Sequence, residues 1–290
     1  MVEGFYGVGG ERYVVGEGDF LALGHHKLRF SLIPMVHWPE TMVTYDETEG
    51  ILFSGDAFGC FGALNGGVID ANINTDIYWD EMVRYYSNIV GKYGAPVQKA
   101  LQKLQTLKIN AICSTHGPVW TEEIPRVVRI YDRLSRYEAE EGVVIAYGTM
   151  YGNTAEMAEA IAEELSKQGI RNIVMHNVSH TNHSYIIADV FKYRGLIVGC
   201  PTYNTQMYPE MEALLNKLSA REIKGRYMGW FGSFTWASAA VKKITEFNDK
   251  LKFEPVGNPI EMKHSMKSET YVQCKELAKA MADRLKADRK

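Results

Sequence analysis

The segment from Val143 to Thr154 constrains the fold more than any other part of the chain. Residues 143–147 form an apolar run that predicts a buried strand, and an amphipathic helix is predicted over residues 154–168. The loop between them carries glycines and threonine hydroxyls, which, with the positive end of the helix dipole, favour a phosphate monoester. The glycine spacing disfavours both a dinucleotide site and an NTPase loop. An ordinary βα turn with a threonine cap is the alternative.

Strand-like and helix-like patterns alternate through the rest of the second half. The predicted strands are 143–147, 172–177, 195–199, 226–231 and 255–262, and the predicted helices are 154–168, 186–193, 208–218, 237–251 and 270–287. Strands with interleaved helices predict an α/β fold with a doubly wound parallel sheet. Ligands of such sheets bind beyond the carboxyl ends of the strands, where the strand order reverses.

Three loops are expected to meet at that edge of the sheet and to bind a cofactor. Their candidate binding residues are Thr149, Met150, Tyr151, Gly152, Asn153, Thr154, Pro201, Thr202, Tyr203, Asn204, Gly232, Ser233, Phe234, Thr235 and Trp236. Small residues allow close approach of the backbone, and the aromatic side chains can stack on a flat ring. The Thr-x-x-x-Asn-Thr pattern at residues 149–154 resembles the phosphate loop of flavodoxins, and this resemblance implies that the cofactor is FMN.

The first half of the chain has a different order of strand-like and helix-like segments. Strand-like runs at 12–15, 28–34, 42–46 and 51–54 precede a glycine-rich loop at 55–67 and helical patterns at 80–93, 96–107 and 122–138. Strands followed by helices suggest half of an α/β sandwich. A charged helix end meets a glycine at residues 140–142, so we expect two domains, 1–141 and 142–290.

Three residues of the first half have metal-ligand chemistry. His37, Asp56 and His116 each follow a strand-like run. Imidazole and carboxylate together suit iron or zinc. For each residue taken alone, a hydrogen-bonded turn residue is the alternative, and composition leaves the two interpretations about equal.

The segments around these residues resemble the later metal-ligand segments of flavodiiron proteins. They read His-Trp-Pro-Glu, Phe-Ser-Gly-Asp-Ala-Phe-Gly and Ser-x-His-Gly-Pro-Val-Trp. The resemblance covers nearly the whole chain and implies a metallo-β-lactamase-like domain followed by a flavodoxin-like domain. It implies that His37 binds one iron, His116 binds the other and Asp56 bridges them, with no catalytic residue beyond the metal ligands.

The same resemblance implies the activity and the partners. Flavodiiron proteins use electrons from FMN to reduce O2 to water, NO to nitrous oxide, or both. The family typically assembles as head-to-tail homodimers. No rubredoxin-like cysteine pairs occur in this sequence, so we expect the electron donor to be a separate protein such as a rubredoxin.

One family motif is absent from the printed sequence. Flavodiiron proteins carry an earlier His-x-Glu-x-Asp-His segment with four further iron ligands, and these 290 residues contain no such segment. We therefore expect a partial metallo-β-lactamase-like sandwich with an incomplete di-iron site, completed by a separate chain or a dimer partner unless the gene model is truncated. His25 and His26 are interpreted as solvated turn residues.

Composition limits the remaining functions. The net charge of −3 gives no electrostatic case for nucleic acid or an anionic membrane, and no apolar run approaches membrane-spanning length. The cysteines Cys60, Cys113, Cys200 and Cys274 are widely spaced, which disfavours a disulfide framework or zinc ribbon and suits a soluble protein of the reducing cytoplasm.

Three alternative functions account for part of the sequence. The chain could be an FMN electron-transfer protein whose first domain is a non-catalytic scaffold or dimerisation surface. A zinc hydrolase of the metallo-β-lactamase type is disfavoured because its His-x-His-x-Asp-His cluster is absent. An NAD(P)H-dependent quinone reductase would suit residues 142–290 but leaves His37, Asp56 and His116 unexplained.

Overall fold

Two β-sheets, one in each half of the sequence, organise the chain. The computed structural model describes residues 2–289. Its strands are β1 (Phe20–Leu23), β2 (His26–Leu32), β3 (Met42–Asp46), β4 (Ile51–Gly55), β5 (Ala111–Ser114), β6 (Val119–Trp120), β7 (Glu140–Tyr147), β8 (Ile173–Asn177), β9 (Tyr193–Tyr203), β10 (Gln206–Met207), β11 (Tyr227–Phe234), β12 (Glu254–Pro255) and β13 (Ile260–Lys263). Its α-helices are α1 (Val2–Tyr6), α2 (Asp76–Tyr85), α3 (Gly94–Leu104), α4 (Ile124–Ser135), α5 (Asn153–Lys167), α6 (His183–Lys192), α7 (Pro209–Ser219), α8 (Ala240–Leu251) and α9 (Ser268–Ala287), with a 3-10 turn at Asp70–Asn72 and a π-helical turn at Tyr86–Val90.

The first sheet has six strands in the order in which they occur along the chain, β1 to β6. Strands β1 to β4 are antiparallel neighbours, whereas β4 and β5 are parallel. The connection from β4 to β5 contains α2 and α3, and α3 packs against α4. Since β4 and β5 run in the same direction, the loops that follow them leave the sheet at one edge.

The second sheet is a parallel doubly wound sheet. Its main path runs β12-β11-β9-β7-β8, with β13 also parallel to β11 and the short β10 antiparallel to β9. Counted along the chain, the order is 2-1-3-4-5, so the strand order reverses between β7 and β9. The residues Val143, Val144, Ile145 and Ala146 of β7 are fully buried, as expected for a strand covered by helices on both faces.

Several predicted elements were wrong. Residues 12–15 form no strand, because Tyr13 and Val14 are exposed and no neighbouring strand pairs with them among the described residues. Strands β1 and β6 were not predicted. The run 255–262 is divided into β12 and β13 around Gly257, whose φ is +69°.

A shared apolar core joins the two halves. One continuous cluster contains Tyr86 and Tyr131 from the first half and Phe191 and Leu196 from the second. The ring centroids of Tyr86 and Phe191 lie 6.3 Å apart in an edge-to-face arrangement. Asn88 donates to the backbone oxygen of Ser184 at 3.0 Å, so polar contacts also cross the junction.

No helix in the described part of the chain is both long and apolar enough to cross a membrane.

Candidate functional site

The loop between β7 and α5 is shaped by its glycines. Gly152 immediately precedes α5 with φ of +91°, and its N–H donates to Thr149 Oγ1 at 3.1 Å. A Cβ at Gly148 would lie 2.6 Å from the Tyr208 ring. Gly152 is therefore favoured by backbone conformation and Gly148 by close packing, and together they turn the chain tightly into the amino end of α5.

Two threonine hydroxyls tie the three predicted loops together. Thr154 is buried, and its hydroxyl lies 2.8 Å from the hydroxyl of Ser233 at the end of β11. Thr202 Oγ1 in the second loop accepts the N–H groups of Ala239 and Ala240 at 3.0 and 3.1 Å, at the start of α8. The three loops therefore form one connected rim at the carboxyl edge of the sheet.

This rim encloses two neighbouring cavities. The smaller, about 70 Å³, is lined by Thr149, Met150, Tyr151, Asn153, Thr154, Pro201, Thr202, Ser233, Phe234, Thr235 and His264. The larger, about 340 Å³, is lined by Met150, Thr202, Tyr203, Asn204, Thr205, Thr235, Trp236 and Ala237. Of the predicted binding residues, only Gly152 and Gly232 line neither cavity.

The aromatic side chains at the rim face solvent. Trp236 is 87% exposed, Tyr151 is 86% exposed and Tyr203 is 47% exposed. Aromatic residues that cover a local core would be largely buried, so these three rings are free to contact a flat ligand. The small cavity at a helix amino terminus and the larger cavity beside exposed aromatic rings suit a phosphate and a planar ring system, and the residues present fit FMN.

Sequence reasoning missed Thr205, Ala237 and His264 as lining residues. His264 directly follows β13, and its N–H donates to the Phe234 oxygen at 2.9 Å. The signal was available, because β13 is parallel to β11 and ends at the same edge of the sheet. Cys200, next to the second loop, is a core residue, and burial raises the pKa of its thiol to about 12.

The structure brings the three predicted metal ligands of the first half together. His37 Nε2 lies 3.2 Å from Asp56 Oδ2, and His116 Nε2 lies 3.3 Å from Asp56 Oδ1. Each carboxylate oxygen of Asp56 thus faces a different histidine. This arrangement follows from the sheet, because β4 and β5 are parallel neighbours and their following loops carry Asp56 and His116.

Neighbouring residues hold these ligands in place. The Thr115 hydroxyl donates to Asp56 Oδ1 at 2.7 Å, and the Cys60 N–H donates to the His116 oxygen at 3.2 Å. Gly117 has φ of +88°, and a Cβ there would lie 2.6 Å from Cys60 Sγ. Glycine after His116 is therefore a packing requirement, which explains part of the Ser-x-His-Gly-Pro-Val-Trp segment.

Tyr85 was not predicted from sequence but lies beside this cluster. Its ring centroid is 5.5 Å from that of His116, and its buried hydroxyl has no hydrogen-bond partner within residues 2–289. Burial, with smaller contributions from Asp56 and Cys60, raises the pKa of Tyr85 above its ordinary range. Tyr85 comes from α2, far from the ligand segments in sequence, so local patterns gave no signal.

The donor set fits a pair of metal ions that share one carboxylate. Two imidazoles and a carboxylate are suitable ligands for iron, and one histidine is available on each side of Asp56. The side chains of His37, Asp56 and His116 are 25%, 32% and 54% exposed, so further ligands can reach the cluster. These three residues alone leave most coordination positions of each metal open.

His25 and His26 were expected to be solvated turn residues, and the structure confirms this for one of them. His25 is exposed, as predicted, but His26 is half-buried and its Nδ1 lies 2.7 Å from Asp46 Oδ2. The interpretation of His26 as solvated was wrong, because the pairing of β2 with β3 brings its ring within reach of the buried carboxylate of Asp46, which lies opposite Leu28.

Sequence comparison assigns both halves to known families. The Flavodoxin family matches residues 145–286, and the ODP family beta lactamase matches residues 5–117. An uncharacterised protein of Methanocaldococcus jannaschii is 32% identical over 271 residues, which are 93% of this chain and 68% of that protein. A nitric oxide reductase of Moorella thermoacetica is 29% identical over 275 residues, covering 94% of this chain and 68% of the relative.

Solved structures give the same result. The rubredoxin oxygen:oxidoreductase of the anaerobe Desulfovibrio gigas superimposes with a TM-score of 0.94 at 27% identity, covering 99% of this chain and 73% of that one. The flavodiiron protein of Giardia intestinalis superimposes with a TM-score of 0.90 at 27% identity, covering 95% and 68%. The chain belongs to the flavodiiron protein family. It is an FMN-dependent oxidoreductase, and the predicted flavodoxin-like and metallo-β-lactamase-like folds are confirmed.

Proposed function

We propose that the protein uses FMN electrons to reduce O2, NO or both at a non-haem di-iron site. The observation that carries this proposal is the placement of one histidine at each oxygen of Asp56, in a chain that also has a cavity lined by Tyr203 and Trp236. The similarity to a nitric oxide reductase and to a rubredoxin oxygen:oxidoreductase supports both substrates.

The residues have distinct proposed roles. The loop after β7, with Thr149 and Thr154, would hold the FMN phosphate, while Tyr203 and Trp236 would contact the ring system. His37 and His116 would each hold one iron and Asp56 would bridge the pair. When bound, FMN would transfer electrons one at a time, and the two irons would bind O2 or NO for reduction.

Tyr85 and Thr115 would shape the surroundings of this metal pair. The Thr115 hydroxyl donates to Asp56 Oδ1 and so fixes the plane of the carboxylate between the two histidines. The ring centroid of Tyr85 lies 5.5 Å from that of His116, so Tyr85 would shield one side of this ligand. Both residues would act by positioning the ligands, because neither belongs to the proposed ligand set.

We further propose that the metal site is completed by ligands outside the printed sequence. The family's His-x-Glu-x-Asp-His segment has no counterpart in it. The half-exposed His116 leaves room for such ligands. Metal affinity depends on a full ligand set, so His37, Asp56 and His116 alone would bind iron weakly.

The proposed partners follow from the family. A rubredoxin-type protein would donate electrons, in keeping with the name of the Desulfovibrio gigas relative, and two copies would assemble head to tail so that the flavin of one lies near the metals of the other. The proposed domains are 1–141 and 142–290. Because Cys60, Cys113, Cys200 and Cys274 are all free thiols, we propose that the protein works in a reducing cytoplasm.

The proposal is tested by measuring the flavin and iron content of the protein after purification from its own host without chelators. We expect one FMN and two irons per chain, with O2 or NO consumption when a reduced rubredoxin is added. The control is the same preparation with ferricyanide as acceptor, which reports flavin electron transfer alone. Flavin with two irons but no O2 or NO consumption would overturn the proposed activity.

A second function has one specific observation in its favour. Since His37, Asp56 and His116 provide only part of a di-iron ligand set, the chain could serve as an FMN electron-transfer protein whose first domain is a scaffold or dimerisation surface. Bound flavin with no iron in protein from the native host, together with ferricyanide reduction, would favour this function over the first.

A further inference from the structure

Two turns of the first sheet meet at the end opposite His37 and Asp56. The turn between β1 and β2 contains His25, and the turn between β3 and β4 contains Thr48 and Glu49. The Thr48 hydroxyl donates to the His25 oxygen at 3.1 Å and accepts the Lys27 N–H at 3.3 Å. These hydrogen bonds hold the two turns against each other.

Three side chains with metal-ligand chemistry converge where the turns meet. One ring nitrogen of His25, one of His26 and one carboxylate oxygen of Glu49 all lie within 4.8 Å of one another. The two imidazole rings have centroids 3.9 Å apart. A transition metal binds its ligands at roughly 2 Å, and the exposed side chains of His25 and Glu49 are free to close around an ion beside His26.

A buried carboxylate orients one of these imidazoles. Asp46 is only 4% exposed, and it accepts the Thr48 N–H at 2.9 Å and faces His26 Nδ1 at 2.7 Å. The Asp46 carboxylate occupies the Nδ1 side of the His26 ring, so Nε2 is the ring nitrogen left to face a metal.

We propose that His25, His26 and Glu49 form a zinc-binding site that Asp46 orients from behind. Two imidazoles and one carboxylate are a recurring ligand set for zinc, with water in the fourth position. A carboxylate behind a ligating histidine fixes its ring and increases its basicity. The bound ion would cross-link the β1–β2 turn to the β3–β4 turn.

This site is separate from the proposed di-iron centre. His26 begins β2, whereas His37 lies beyond the end of that strand; likewise Glu49 precedes β4 and Asp56 follows it. The two sets of ligands therefore lie at opposite ends of the same strands. A strand of this length spans roughly 15–20 Å, so no residue can serve both sites.

Zinc titration of the FMN-loaded protein, followed by competition with a chromophoric chelator, tests the proposal. We expect His25→Ala and Glu49→Gln each to bind one zinc ion fewer than the unaltered protein, or to bind that ion at least tenfold more weakly. The control His180→Ala removes an exposed histidine elsewhere and should change neither value. Unaltered zinc stoichiometry and affinity in both His25→Ala and Glu49→Gln would overturn the proposal.

Three further measurements keep the result independent of folding and of the iron site. Asp46→Asn should weaken zinc binding about tenfold, because a neutral amide accepts a weaker hydrogen bond from His26 Nδ1–H and no longer increases the basicity of the ring. His116→Ala should leave this zinc ion bound. Anomalous diffraction at the zinc edge from soaked crystals should place the ion between His25, His26 and Glu49, and density only at Asp56 would contradict the proposal.

Discussion

At the scale of single residues, hydroxyl and carboxylate groups fix the geometry of both proposed cofactor sites. Thr154 joins the phosphate loop to Ser233, and Asp56 stands between two histidines. Both residues were predicted from sequence because each directly follows a strand-loop pattern. Tyr85 was not, since its approach to His116 depends on how α2 packs against the first sheet.

Replacing Thr154 with valine should weaken FMN binding while sparing riboflavin. The change keeps the side-chain volume but removes a hydroxyl from the smaller cavity, and a hydrogen bond to a charged group contributes roughly 1.5–3 kcal/mol. Flavin fluorescence quenching should show FMN affinity reduced about tenfold, which is about 1.4 kcal/mol. Thr106→Val, at an exposed position, is the matched control. Equal losses for FMN and riboflavin would show that Thr154 does not serve the phosphate.

Asp56→Asn should reduce iron content to below one per chain. The amide has the same shape but lacks the negative charge that two metal ions would share, whereas FMN content should stay unchanged. Iron analysis beside the flavin absorbance measures both quantities in one preparation. Asp283→Asn changes an exposed aspartate on α9 and should retain both cofactors. Two irons per chain in Asp56→Asn would contradict the bridging role.

At the scale of elements, the helices and parallel strands of the second half were largely predicted, whereas the first sheet was predicted less well. Helix α5 (Asn153–Lys167) lies within one residue of its predicted bounds because its apolar residues repeat at helical spacing. Strand β1 was missed because its residues are mostly exposed and its one neighbour in the described part of the sheet is β2. Edge strands of this kind have little pattern of their own.

The amino end of α5 depends on the left-handed backbone of Gly152. Gly152→Ala should destabilise the protein by about 1–2 kcal/mol, because an L-residue at positive φ is strained. FMN affinity should fall as well, since the loop carries the proposed phosphate site. Gly66→Ala is a close match, with φ of +91° and open space around its Cβ in a distant loop. Urea denaturation and FMN titration of both variants should show a similar stability loss but weaker FMN binding only for Gly152→Ala.

At the scale of the whole molecule, Arg226 connects the two halves. It is 1% exposed and donates to the backbone oxygens of Val190 and Phe191, both at 2.7 Å, and to that of Tyr137 at 2.9 Å. Tyr137 belongs to the first half and the other two residues to the second. Sequence could not predict this arrangement, because a buried arginine has no periodic pattern and its acceptors come from separate elements.

Arg226→Met should destabilise the protein by about 3 kcal/mol or more. Methionine keeps much of the side-chain volume but leaves several buried carbonyl groups without donors, each costing roughly 1–3 kcal/mol before relaxation. Chemical denaturation should show a single transition at lower denaturant concentration. Arg171→Met, at an exposed position, should change stability by less than about 0.5 kcal/mol. If Arg226→Met changed stability as little as Arg171→Met, the buried guanidinium would contribute no net stability.

The continuous apolar core of the two halves also has a consequence for inheritance. Side chains such as Tyr86 and Phe191 interlock across the junction, so a substitution on one side selects for a compensating one on the other. Recombination that exchanges one half for that of a distant relative would join mismatched surfaces. The two halves of this gene are therefore expected to have been transmitted together and to yield congruent phylogenetic trees.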